Sequence, residues 1–236
     1  HANLGETVSA DLQDATAVRA AATDVDTIVH LGGQRSPSAL WSDLLPNNIV
    51  GTYNVVAAAI AAGCRRVVYA SSVHAVMGHP DGLQVRESDA VHPADLYGVT
   101  KCFGEALGSY AATTEGISFV ALRIGAFQEA TRLQEPESGW MLRDFCEPHD
   151  LYRLIHRVIE VEDITFEIYN AVSANTVSRL SMEKARGDLG FEPEADSLRF
   201  HDLFRRAFES VGGLTDKGAE SGMREDVARL IGGPER

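Results

Sequence analysis

The sequence predicts an α/β fold, a doubly wound parallel sheet carrying a small C-terminal lobe. Two observations lead there. Short apolar runs alternate with longer helical patterns, the arrangement that builds a parallel sheet with helices on its faces. A length of 236 residues, 44% of them hydrophobic and 23% charged, suffices for one sizeable core and one modest appendage.

The elements follow in order. "DTIVHLGG" (Asp26–Gly33) reads as a buried strand running into glycines. "NNIVGTYNVVAAAIAAG" (Asn47–Gly63) reads as an alanine-rich helix closed by a glycine C-cap. "RRVVYASS" (Arg65–Ser72) and "SFVALRIG" (Ser118–Gly125) are further strands. Between them, "DLYGVTKCFGEALGSYAATT" is helical, with Phe103, Leu107 and Tyr110 as a core face. "HDLYRLIHRVIE" (His149–Glu160) is an amphipathic helix, and "TFEIYNAV" (Thr165–Val172) a fourth strand. The expected boundaries are a main domain over 1–204, with the lobe's elements in about 126–204, and a loosely ordered tail over 205–236. No internal repeat is visible.

Charge and cysteine content narrow the function classes. A net charge of −13 repels nucleic acid and anionic membranes, so neither is expected as a partner. No apolar run is read as approaching the ~20 residues of a membrane-spanning helix, and no secretory signal opens the chain, so a cytoplasmic setting is expected. The three cysteines lack both a disulfide framework and a C-x-x-C pattern, and the histidines show no metal-ligand spacing.

In parallel sheets, ligands sit outside the carboxyl ends of the strands. Three strands end there on small or polar residues: Gly32 and Gly33, Ser71 and Ser72, Gly125 and Ala126. Tyr97 and Lys101, i and i+4, share one helix face, and Lys101 is one of only three lysines. A tyrosine is a poor base at neutral pH unless a nearby ammonium favours its phenolate. With Ser72 orienting a substrate oxygen, the trio could oxidise an alcohol. Gly104 and Gly108 continue the face and leave room for something to lie against it. Taken alone, a Tyr–Lys pair at this spacing is more often an ordinary half-exposed helix pair.

"VVYASSVHAVMG", "DLYGVTKCFGE" and "ALRIGAF" together resemble the extended short-chain dehydrogenase/reductase superfamily, also described as NAD-dependent epimerases and dehydratases. "HLGG", "NNIVGTYNV" and "ASSVH" are most similar to its uronate dehydrogenase-like branch of sugar dehydrogenases. The likeness runs from about Ala10 to Pro193. It implies a Rossmann-like sheet, with NAD or NADP as cofactor and a sugar or sugar acid as substrate. Tyr97 is then the catalytic base, Lys101 its tuner and a ribose ligand, and Ser72 the third member. The cofactor set implied is Asp11, Leu12, Leu31, Gly32, Gly33, Asn48, Ser71, Lys101 and Ile124. The substrate set is Ser72, Val73, His74, Tyr97, Ala126 and Arg132, with Arg35 and Arg143 as further anion candidates.

The family's glycine-rich fingerprint would stand roughly fifty residues ahead of Asp11, and nothing before Asp11 supplies it; a segment preceding this sequence is the expectation. Val73 and Ala126 stand where the branch's uronate enzymes carry Asn and Ser, which weakens the case for a carboxylate substrate. The expected reaction is oxidation of a sugar hydroxyl, at the anomeric carbon, to a lactone. The alternatives are an epimerase or dehydratase on the same fold, or a truncated homologue that binds no dinucleotide. Small residues on helices Asn47–Gly63 and Tyr97–Thr114 are compatible with a homodimer.

Overall fold

The structure, a computed structural model, describes residues 5–201 and 206, which fall into two compact units. The first comprises the described residues of His1–Gly78, with Val91–Arg123 and Val158–Ile168. It holds α1 (Ala15–Ala21), β1 (Thr27–His30), α2 (Trp41–Leu44), a π-helical turn (Leu45–Val50), α3 (Gly51–Ala62), β2 (Arg66–Ser72), a 3-10 turn (Val73–Ala75), α4 (Leu96–Thr114) and β3 (Ser118–Ile124). The second comprises His79–Ala90, Ile124–Arg157 and the described residues of Tyr169–Arg236. It holds β4 (Ala126–Phe127), 3-10 turns at Ala130–Gln134 and Pro136–Met141, β5 (Phe145–Cys146), most of α5 (Pro148–Glu160), α6 (Glu183–Leu189) and α7 (Ser197–Phe200). The last strand, β6 (Phe166–Ala171), begins in the first unit.

The sheet runs in the order β1-β2-β3-β6, and β1 pairs parallel with β2 from Thr27 against Arg66 to His30 against Tyr69. The four long strands fall where their apolar runs place them. The interior positions of β2 and β3 are buried because flanking helices cover them: Val56, Ala59, Ala111 and Ala112 pack with Val67, Tyr69, Phe119 and Ala121 in one core cluster, which Ile28 of β1 and Ile168 of β6 join partly buried. Burying each large apolar side chain there stabilises by about 1.5–3 kcal/mol. Gly63 closes α3 in the left-handed conformation (φ 70°), as its C-cap position requires.

Gly104 and Gly108 have a different role from the one their spacing suggested. A Cβ on Gly104 would stand 2.3 Å from the Tyr69 ring, and one on Gly108 2.2 Å from the Phe119 ring. The room they leave is filled by the sheet's own aromatics. Without side chains at these positions, α4 settles close onto β2 and β3.

Two arginines anchor the end of α5. Arg66, 2% exposed, donates to the carbonyls of Val158 and Val161 and to Ser118 Oγ, while Arg65 reaches the Ile159 carbonyl and Asp26. Cationic side chains on the orphan carbonyls of a helix C-terminus are favourable, and no apolar residue could satisfy them.

The helical run Trp41–Ala62 corrects one expectation: by length and composition alone it is long and apolar enough to cross a membrane. Its polar side chains Asn48, Thr52 and Asn54 are buried and engaged within the unit, as in the core helix of a globular fold. This helix also differs from its expected form at its start. Gly51 N–H reaches back to the Pro46 carbonyl, five residues earlier, so one extra residue is accommodated before α3 begins.

In the second unit, β4 and β5 pair parallel through Ala126 with Phe145 and Phe127 with Cys146, beside a core of Leu133, Met141, Leu142, Phe145 and Leu198. His79–Ala90, which the sequence presents only as a connection, joins it through a parallel bridge of Val85 with Leu180. The expected tail over 205–236 lies outside the described residues except for Arg206.

Candidate active site

The carboxyl end of β2 and the first turns of α4 bring three expected residues together. Asp95 caps α4, its Oδ1 accepting from Gly98 N at 2.7 Å, so the helix begins at Leu96 and displays Tyr97 in its first turn. Gly98 is needed because a Cβ there would lie 2.3 Å from the His74 carbonyl. That close approach carries the 3-10 turn after β2 directly across the start of α4. The Tyr97 hydroxyl is thereby brought beside the Ser72 side chain, an interaction that favours its phenolate.

Lys101 lies one turn further along the same face and is 6% exposed. Its Nζ donates to the Ala70 carbonyl at 2.7 Å and stands 5.4 Å from the Tyr97 ring centre and 5.1 Å from that of Tyr69.

The electrostatics differ from the expectation that Lys101 acidifies Tyr97. Burial raises the Tyr97 pKa, and the Ser72 hydrogen bond opposes that rise. Burial also depresses Lys101, from 10.5 to about 8. Ser72 thus favours the phenolate, while the amine, engaged on a main-chain carbonyl, keeps most of its charge at pH 7 but at a cost of burial.

A stability prediction follows. An ammonium whose pKa falls from 10.5 to about 8 on folding costs roughly 3 kcal/mol at neutral pH. Lys101→Met is therefore expected to raise the melting temperature at pH 7 while impairing activity. Between pH 8 and 10.5 the unfolded chain binds the extra proton, so the wild type gains stability from this group as pH rises. The variant's advantage should shrink across that window in thermal melts. An advantage constant with pH would contradict the assignment.

His74 is held by Asp95, Nδ1 to Oδ2 at 2.7 Å, with its ring edge toward Tyr97 at 5.3 Å between centroids. Because a carboxylate only accepts, Nδ1 carries the proton. Asp95 therefore serves both the helix cap and the imidazole. Val73, beside them, is buried and apolar.

The cofactor-side residues also converge. Leu31, Gly32 and Gly33 form an exposed turn at the carboxyl end of β1, with Gly33 at φ 142°. Asn48, buried in the π-helical turn, accepts from Gln34 N at 2.7 Å and donates to Gln34 O at 3.0 Å and Thr100 Oγ1 at 2.9 Å. It locks this glycine turn to α4 beside Lys101. Leu12 packs so close to Gly32 that a Cβ there would stand 2.7 Å from its Cδ1. The Leu12 carbonyl accepts from Asn54, and Asp11 is exposed. An accessible turn at a parallel strand's carboxyl end, held by Asn48 and with two successive glycines, fits the close approach of a dinucleotide backbone.

Other expected site residues sit elsewhere. Ser71 is buried and donates to Glu105 Oε1 at 2.6 Å, so its hydroxyl serves the interior. In the second unit, Ile124 is half-buried, Ala126 lies in β4, and Arg132 is exposed and paired with Glu135. Arg143 pairs with Asp81. Among the described residues no cluster of His, Cys, Asp or Glu could hold a metal.

The sequence reading gave no role to Asp95 or Glu105. The available signals were an Asp just ahead of a helix start and a carboxylate four residues past Lys101.

Known proteins resemble this chain in sequence and fold. Residues 1–128 match the NAD dependent epimerase/dehydratase family. The NAD-dependent glucose-6-phosphate dehydrogenase of Haloferax volcanii is 34% identical over 207 residues, covering 83% of this chain and 78% of that protein. The same organism's L-arabinose 1-dehydrogenase (NAD(P)(+)) is 33% identical over 212 residues, covering 81% and 83%. The crystal structure of a mutant uronate dehydrogenase from Agrobacterium tumefaciens, complexed with NAD, superposes with a TM-score of 0.75 at 29% identity, covering 97% of this chain and 82% of that one. The chain belongs to the NAD dependent epimerase/dehydratase family, within the extended short-chain dehydrogenase/reductase superfamily that its Tyr97 segment resembles.

Proposed function

We propose that this protein is an NAD(P)-dependent sugar dehydrogenase that oxidises the anomeric hydroxyl of a sugar or sugar acid to a lactone. The observation that carries the reading is the Tyr97 hydroxyl beside Ser72, with buried Lys101 one turn below it. Relatives named as glucose-6-phosphate, L-arabinose and uronate dehydrogenases support the reaction class.

Ser72 positions the substrate hydroxyl, and Tyr97, as phenolate, takes its proton. Lys101 and the turn Leu31–Gly33 would hold the dinucleotide, with Asn48 keeping that turn in register. NAD(P) held there would supply the acceptor for the hydride of the carbon being oxidised. His74, its Nδ1–H committed to Asp95, has Nε2 left to meet a substrate hydroxyl. With apolar Val73 beside it, this rim suits a neutral polyhydroxyl sugar better than a carboxylate. The protein works in the cytoplasm as a homodimer or higher homo-oligomer, its α3 and α4 exposing Tyr53, Val99 and Tyr110 for the partner copy; Tyr110, expected on the core face of α4, is half exposed instead.

A panel of aldoses, sugar phosphates and uronates, read by the absorbance of reduced nicotinamide, tests the reading. Steady accumulation with at least one aldose is expected. An epimerase would return its cofactor oxidised and show none, and a panel without accumulation overturns the proposal.

A further inference from the structure

Face to face with the sheet, α4 carries a polar stripe of Tyr97, Lys101 and Glu105, each one turn after the last. Glu105 is 4% exposed and Arg123, on β3, is 1% exposed. They form a two-pronged pair, Nε to Oε1 and Nη2 to Oε2 at 3.0 Å each. Ser71, on β2, donates to the same Oε1 at 2.6 Å. One carboxylate on the helix is therefore bonded to two neighbouring strands. Ser71 directly precedes Ser72, which receives Tyr97 two turns up the helix.

Elsewhere α4 meets the sheet through Lys101 Nζ on the Ala70 carbonyl and through Gly104 and Gly108 against the rings of Tyr69 and Phe119, contacts made to one strand at a time; the Glu105 carboxylate ties the helix to β2 and β3 at once. A buried ion pair contributes little net stability, since apolar residues of similar volume commonly replace it without loss; its best-attested use is to set register. An error of about 1 Å in placing reacting groups can cost on the order of a hundredfold in rate.

We propose that Glu105, Arg123 and Ser71 form a positioning device that fixes where α4 rests along β2, and so holds the Tyr97 hydroxyl against Ser72. None of the three touches the reacting atoms. The inference rests on Tyr97 and Ser72 being the reacting pair of the proposed function.

The test is the double variant Glu105→Leu/Arg123→Met, which removes no net charge and keeps the interior filled. It is expected to melt at or above the wild-type temperature, yet to lose kcat by about a hundredfold. Its Tyr97 resonance, followed by NMR with isotope-labelled tyrosine and assigned through Tyr97→Phe, is expected to titrate at higher pH than in wild type, because the Ser72 bond that favours the phenolate is lost. A folded double variant with wild-type kcat and wild-type Tyr97 titration overturns the proposal.

Should the double variant not fold, Ser71→Ala leaves the ion pair intact. A several-fold loss of kcat with the same upward titration shift, both restored in Ser71→Thr, supports the device, and wild-type values in Ser71→Ala overturn it. The Tyr97 titration requires no substrate. A wild type inert on every sugar would defeat the proposed function, while the titration would still decide the positioning claim.

Discussion

Replacing Tyr97 with phenylalanine is expected to lower kcat by about 10²–10⁴-fold, the range general acid–base catalysis supplies, with melting temperature changed little. The substitution removes one hydroxyl from a ring that stays packed against His74 and under Lys101. The lost interaction with Ser72 is one between neutral groups, of the kind worth no more than about 1 kcal/mol net. The pH profile carries the same signature. Since burial raises the Tyr97 pKa, its base form is scarce at neutral pH, and wild-type kcat/KM should rise across the alkaline range. The residual rate of Tyr97→Phe should lack that rise. A variant retaining wild-type turnover would remove Tyr97 from the reaction.

Arg123→Met by itself is expected to be the most damaging single change to stability near the site, costing about 3–5 kcal/mol. Glu105 would remain buried with only the Ser71 hydroxyl to meet its charge. The contrast with the double variant is the informative part: the single loss strands a charge, and the double loss strands none. Chemical denaturation of both variants checks this, and equal destabilisation would show that the pair contributes net stability and not register alone.

Much of the fold was legible because its signals are local. The strands at Thr27–His30, Arg66–Ser72, Ser118–Ile124 and Phe166–Ala171 are short apolar runs whose burial follows from composition. Gly63 announced the end of α3 by the left-handed conformation it permits. The stacking of Tyr97 on Lys101 needed only helical periodicity, and Ser72 only its place at a strand end.

What stayed hidden depends on pairings distant in sequence. Glu105 appears in the motif that marks α4, yet nothing in "FGE" says that an arginine 18 residues on and a serine 34 residues back will share its oxygens. Gly104 and Gly108 looked like space for a ligand because the aromatics that fill it come from other strands. The depressed Lys101 pKa is a consequence of burial, which spacing cannot report. The π-helical turn that aims Asn48 arises from where one extra residue is accommodated, and "LPNNIV" reads equally well as ordinary helix.

The central claim is that hydride leaves a sugar's anomeric carbon for the nicotinamide while Tyr97 takes the hydroxyl proton. An aldose deuterated at that carbon, turned over with NAD and followed by mass spectrometry of both products, tests it most directly. Deuterium is expected in the reduced nicotinamide, together with a lactone that has lost it. Label retained in the sugar product, or reduced nicotinamide formed without label, would contradict it.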